Sequence, residues 1–113
     1  MRAGARVVLP KPRMNKLEVA WLAVLVLRPD VDRASFEAVK LRLADQTYYT
    51  PDFFVVMKSG LIEFHETKGH MREAARVRLR VAADLYPEFQ FTKITRPGGR
   101  WKMDPIPGAG DAR

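Results

Sequence analysis

Two short apolar runs separated by three turn residues constrain this chain more than any other stretch. Residues 52–57 read Asp-Phe-Phe-Val-Val-Met, residues 61–64 read Leu-Ile-Glu-Phe, and Lys58-Ser59-Gly60 lies between them. Runs rich in aromatic and β-branched side chains predict strands, and a three-residue loop ending in a left-handed glycine is a common hairpin closure. That closure pairs Met57 with Leu61, and counting back five residues on each strand sets Asp52 opposite Glu66. Because side chains alternate along a strand, Asp52, Phe54, Val56, Ile62, Phe64, Glu66 and Lys68 share one face. That face is apolar near the turn and charged at its open end.

Directly opposed residues hold their Cβ atoms about 4.5–5.5 Å apart, and two like charges there destabilise the pair unless something neutralises them. A hard cation would do so, since Mg²⁺ is commonly held by one or two carboxylates with water and substrate phosphate. Lys68 projects from the same side, where it could orient a nucleophile or steady developing negative charge. A plain salt bridge from Lys68 to one acid at a strand end accounts for the same residues.

Twenty Lys and Arg against thirteen Asp and Glu give a formal charge of +7 and a pI near 10.1, which points to a polyanionic partner, nucleic acid first. Without cysteine there are no disulfides or thiolate metal sites, and His65 and His70 alone do not make a structural zinc site. The 113 residues suggest one domain, with a basic arm over 1–13, a core over 14–96 and a tail over 97–113. The arm either touches a phosphate backbone or a second subunit, or is a disordered terminus. Residues 19–27 are wholly apolar, yet a bilayer span takes about 20 residues. Arg28-Pro29-Asp30 follows in place of a small-residue cleavage site, so a buried helix and a cytoplasmic protein with no membrane partner are expected.

Asn15 is placed to cap that helix, with Glu18 as the capping-box acid and Pro29 as the stop. Glu18 has two readings, because its spacing with Leu22 and Leu25 also lets it point along the apolar face toward the sheet. Residues 35–45 alternate as one half-exposed strand. Residues 70–86 predict an amphipathic helix with Ala74, Val77, Val81 and Leu85 on the inward stripe. Arg72, Arg76 and Arg80 fall on the other side, either as a solvated face or, with His70, as phosphate contacts. Residues 89–94 read as a last strand. Arg100-Trp101-Lys102 packs as a short strand or stacks on a base, and the chain from Asp104 onward reads as a flexible tail.

The order helix, three strands, helix, strand, with Pro51-Asp52 on the second strand and Glu66-Thr67-Lys68 on the third, resembles the PD-(D/E)xK nuclease superfamily. Tyr49-Thr50-Pro51-Asp52-Phe53, the turn and Glu66-Thr67-Lys68-Gly69 look closest to phage-encoded Holliday-junction-resolving endonucleases and related small phage nucleases. The resemblance implies an α/β fold with a restriction-endonuclease-like αβββαβ core, a mixed sheet flanked by helices. It implies that Asp52, Glu66 and the backbone carbonyl of Thr67 bind Mg²⁺, with Mn²⁺ as substitute, and that Lys68 positions the attacking water. Glu18 would bind a second ion or a metal-bound water. The implied activity is endonucleolytic hydrolysis of branched or structured DNA by a homodimer, leaving a 5′-phosphate and a 3′-hydroxyl, in a bacterial or phage-infected cell. The Gln or Tyr signature of the recombination-exonuclease branch is missing from the helix after Lys68. His65, on the opposite face from Glu66, is read as structural. Two other readings stand beside this one: a non-catalytic basic nucleic-acid-binding protein, and the nuclease subunit of a larger restriction or transposition complex.

Overall fold

The computed structural model describes residues 13–69 and 71–107. The expected basic arm up to residue 12, His70 and the last six residues of the tail lie outside the described residues. The elements are α1 (Lys16–Leu27), β1 (Val31–Phe36), β2 (Leu41–Ala44), β3 (Thr47–Tyr49), β4 (Phe53–Met57), β5 (Ile62–Thr67), α2 (Glu73–Leu85), β6 (Gln90–Thr95) and β7 (Lys102–Pro105), with a 3₁₀ turn at Pro97–Gly99. The described residues form a small α/β fold with two helices and a five-stranded mixed sheet in the order β1-β4-β5-β6-β7. Only β5 and β6 run parallel, and α2 makes the crossover such a pair requires.

The β4–β5 hairpin has the register its turn dictates. Phe53 pairs with His65, Phe54 with Phe64, Val55 with Glu63 and Val56 with Ile62. The Met57 N–H donates to the Leu61 carbonyl at 2.9 Å, and Gly60, at φ +93°, donates to the Met57 carbonyl at 2.8 Å. One face of the hairpin sends Phe53, Val55 and Met57 against Trp21 and Leu25 of α1, with Val31 and Ile94 completing that half of the core. The other sends Phe64, beside Phe91 of β6, against Leu79, Ala82 and Ala83 of α2.

α1 begins where its cap predicts. The Glu18 N–H donates to the Asn15 side chain and the Asn15 N–H to the Glu18 carboxylate, both at 2.8 Å. Trp101 packs against Trp21 with ring centroids 4.9 Å apart and holds the Arg96 guanidinium 4.6 Å over its ring, so it belongs to the packing.

Three expectations are corrected. The single strand over 35–45 is two segments. β1 ends at Phe36, the chain turns at Glu37 with φ +47°, and β2 and β3 form a separate two-stranded sheet closed by Asp45-Gln46. The inward stripe of α2 is also different: Leu79, Ala82 and Ala83 are buried, while Val77 (50%), Val81 (38%) and Leu85 (48%) are exposed. Small alanines turned inward make room for the Phe64 and Phe91 rings and for the β2–β3 hairpin, which packs through Leu41 and Tyr49. The expected tail, finally, includes β7, which pairs antiparallel with β6 from Thr92↔Pro105 to Thr95↔Lys102. The open edge of β6 supplies the ladder that holds it.

No side chain or backbone atom crowds the position a Cβ would take at Gly60, so its requirement for glycine is purely one of backbone conformation. Gly60→Ala is expected to lower the urea midpoint by the equivalent of about 1–2 kcal/mol, the penalty of a left-handed L-residue, at unchanged m-value. An unchanged midpoint would mean that the turn does not depend on this conformation.

Candidate functional site

Asp52 lies immediately ahead of β4, and continuing the β4–β5 register by one step sets it opposite Glu66 at the end of β5. Both are buried, at 6% and 7% exposure, and so is Glu18 from the first turn of α1, at 7%. The Thr67 N–H and hydroxyl both donate to Asp52 Oδ2, at 2.9 and 3.0 Å. Glu66 Oε1 accepts from the Tyr49 hydroxyl at 2.7 Å and from the Asp52 N–H at 3.3 Å, while Oε2 faces Lys68 Nζ at 3.5 Å. Glu18 closes its capping box and also sets its carboxyl against that of Asp52.

Packing acids together away from water raises their affinity for a proton or a cation. Burial, and then the charge of Asp52, push Glu66 up to about 7 against the opposing pull of Tyr49 and Lys68. Glu18 is raised as well, first by burial and then by Asp52 and Glu37, although the Asn15 N–H holds it down in part. Burial and the neighbouring Glu66 charge raise Tyr49, which therefore stays a neutral donor. Glu37 is drawn near because its N–H donates to the Asp52 carbonyl at 2.8 Å.

Glu18, Asp52, Glu66, Thr67 and Lys68 thus meet at one place. Among the described residues, no three or more of His, Cys, Asp and Glu form a ready-made metal set. The ligand atoms that do converge are oxygens of two buried carboxylates, Asp52 and Glu66, and suit a small hard cation that completes its shell with water.

Two of the three arginines expected to act together line one groove. Arg72 is the exposed N-cap residue of α2, whereas Arg76 and Arg80 line a groove with Lys93 over Met71, Leu79 and Ile106. Arg78, which sequence reasoning missed, lines the acid cleft with Tyr48, Tyr49, Thr50, Asp52, Glu66, Lys68 and Ala75. It has no ion-pair partner among the described residues. Its position follows from the inward turn of Ala75, which the choice of the valine stripe concealed.

His65 lies on the far side of β5, fully buried. The Trp21 indole N–H donates to its Nδ1 at 3.0 Å, so Nε2 carries the proton and donates to Glu63 Oε1 at 2.8 Å. This bond ties α1 to the strand one residue from Glu66.

A carboxyl whose folded value lies above its unfolded value contributes stability that is present below the unfolded value and lost as pH rises through the folded one. For Glu66 the window runs from 4.5 to about 7, worth on the order of 3 kcal/mol. In metal-free buffer the protein is therefore expected to lose stability as pH rises across this window, and Glu66→Gln to flatten the profile. A wild-type denaturation midpoint that does not fall over this range would contradict the burial of a strained carboxylate pair.

Comparison with known proteins returns nothing: no protein-family model, no curated protein and no solved structure matches the chain.

Proposed function

We propose that this protein is a metal-dependent endonuclease that hydrolyses DNA phosphodiesters. The observation that carries the reading is the meeting of Asp52, Glu66 and Lys68 in one cleft, with Glu18 against Asp52, in a chain with formal charge +7. The succession α1, β1, β4, β5, α2, β6 supports a restriction-endonuclease-like αβββαβ core, with the β2–β3 hairpin inserted and β7 added at the edge.

In this reading Asp52, Glu66 and the Thr67 carbonyl would hold Mg²⁺ or Mn²⁺, with Glu18 beside Asp52 receiving a second ion or an ordered water. When bound, such an ion neutralises phosphate charge and makes hydroxide available near neutral pH. The protein's own part is positional. Thr67 fixes Asp52 through Oδ2, and Tyr49 with the Asp52 N–H fixes Glu66 through Oε1. Lys68, held by its N–H to the Ile94 carbonyl at 3.1 Å, keeps its ammonium at the cleft, where it orients the attacking water. Arg78, which has no ion-pair partner among the described residues, offers its guanidinium to a phosphate that two carboxylates would otherwise repel. The products would be a 5′-phosphate and a 3′-hydroxyl. In this reading the substrate is branched or structured DNA and the working form a homodimer.

One observation favours a second reading. Lys68 already pairs with Glu66, and Thr67 already satisfies Asp52 Oδ2, as in a structural charge network of a non-catalytic nucleic-acid-binding protein.

Incubation with a four-way junction and a matched linear duplex, in Mg²⁺, Mn²⁺ and EDTA, separates the two. The nuclease reading expects metal-dependent cutting that Asp52→Asn, Glu66→Ala and Lys68→Ala each reduce by roughly 10²-fold or more, with far-UV dichroism and DNA affinity preserved. Well-folded wild type that binds DNA but cuts neither substrate in either metal would favour the binding protein.

A further inference from the structure

The acid cleft has a wall that hydrolysis itself does not use. β3 sends Tyr49 inward to Glu66, but its neighbour Tyr48 remains 44% exposed while lining the same cleft. The Lys40 ammonium sits 4.7 Å from the centroid of the Tyr48 ring. The hairpin that carries this ring is fixed in place. Leu41 and Tyr49 are buried against α2, and the Tyr86 hydroxyl donates to the Arg42 carbonyl at 2.7 Å. An exposed tyrosine is ordinary on a protein surface. This one is held by a rigid support, carries a cation, and borders a cleft that also contains two carboxylates, Lys68 and Arg78.

Aromatic rings beside cations are the usual platform for single-stranded nucleic acid, because every base has a π-face and the backbone between bases is anionic. A base inside an intact duplex has both faces covered by its neighbours. Only a nucleotide taken out of the stack can present a face to Tyr48 while its phosphate lies at the carboxylates.

We propose that the β2–β3 hairpin is a nucleotide-binding wall of the cleft. In this arrangement Tyr48 stacks on an unpaired base next to the bond held at Asp52 and Glu66, and Lys40 and Arg78 take phosphates to either side. The assignment rests on the nuclease reading above and narrows its substrate to nucleic acid with at least one unstacked nucleotide at the cut.

The test measures binding in EDTA to two DNAs of one sequence, one gapped with 2-aminopurine in the gap and one fully paired, and then cutting of both in Mg²⁺. Wild type is expected to quench the gap fluorophore. Tyr48→Ala should weaken binding to the gapped DNA about 10-fold, Tyr48→Phe should retain it, and the paired duplex should be indifferent to both. Equal loss on both DNAs, or no loss on either, overturns the wall. If wild type cuts and Tyr48→Ala cuts gapped DNA as well, this inference falls and the nuclease stands. If folded wild type neither binds nor cuts either DNA, both fall together.

Discussion

The closure at Lys58-Ser59-Gly60 sets the register on which the rest of the molecule depends. A shift of one residue between β4 and β5 would exchange the faces of a whole strand, sending Phe53 and Val55 away from α1 and moving Asp52 off Glu66. Core and cleft are therefore specified by the same turn. The alternation that divides the apolar side chains between α1 and α2 also carries two carboxylates to the open end, where the ladder stops and the cleft begins.

Three acids at one buried end of a sheet work against folding, and the structure balances them locally. Thr67, Tyr49 and Lys68 each spend a polar contact on Asp52 or Glu66, and the cap at Asn15 does the same for Glu18. On the other side of β5 the Trp21–His65–Glu63 chain braces the strand with its polar groups satisfied. Departures from easy folding rules of this kind cluster where a protein does its chemistry.

What could be read from the sequence was what local geometry decides. The hairpin register follows from three turn residues, the start of α1 from Asn15 and Glu18, and the juxtaposition of Asp52, Glu66 and Lys68 from alternation. The remainder depends on contacts between distant segments. α2 has two stripes of small or apolar residues at helical spacing, and the Phe64 and Phe91 rings with Leu41 and Tyr49 of the β2–β3 hairpin select the alanine side over the valine side. Arg78 and the splitting of the α2 arginines between two grooves follow from that selection. Glu37 takes a left-handed conformation that its residue type does not announce, which hid the break between β1 and β2 inside an apparent single strand. β7 was concealed by the prolines and glycines around it, because a free edge on β6 is a property of the assembled sheet.

The contact between Trp21 and Trp101 has a spectroscopic consequence. These are the only two tryptophans in the chain, and they lie in tilted contact in one joint, where α1 meets the segment leading into β7. Intrinsic emission and near-ultraviolet dichroism therefore report on a single location rather than averaging over the molecule. Excitonic coupling between the two indoles depends on α1 staying on the sheet, and α1 is the element that delivers Glu18 to Asp52. The protein thus contains its own optical gauge of whether the third acid is in place.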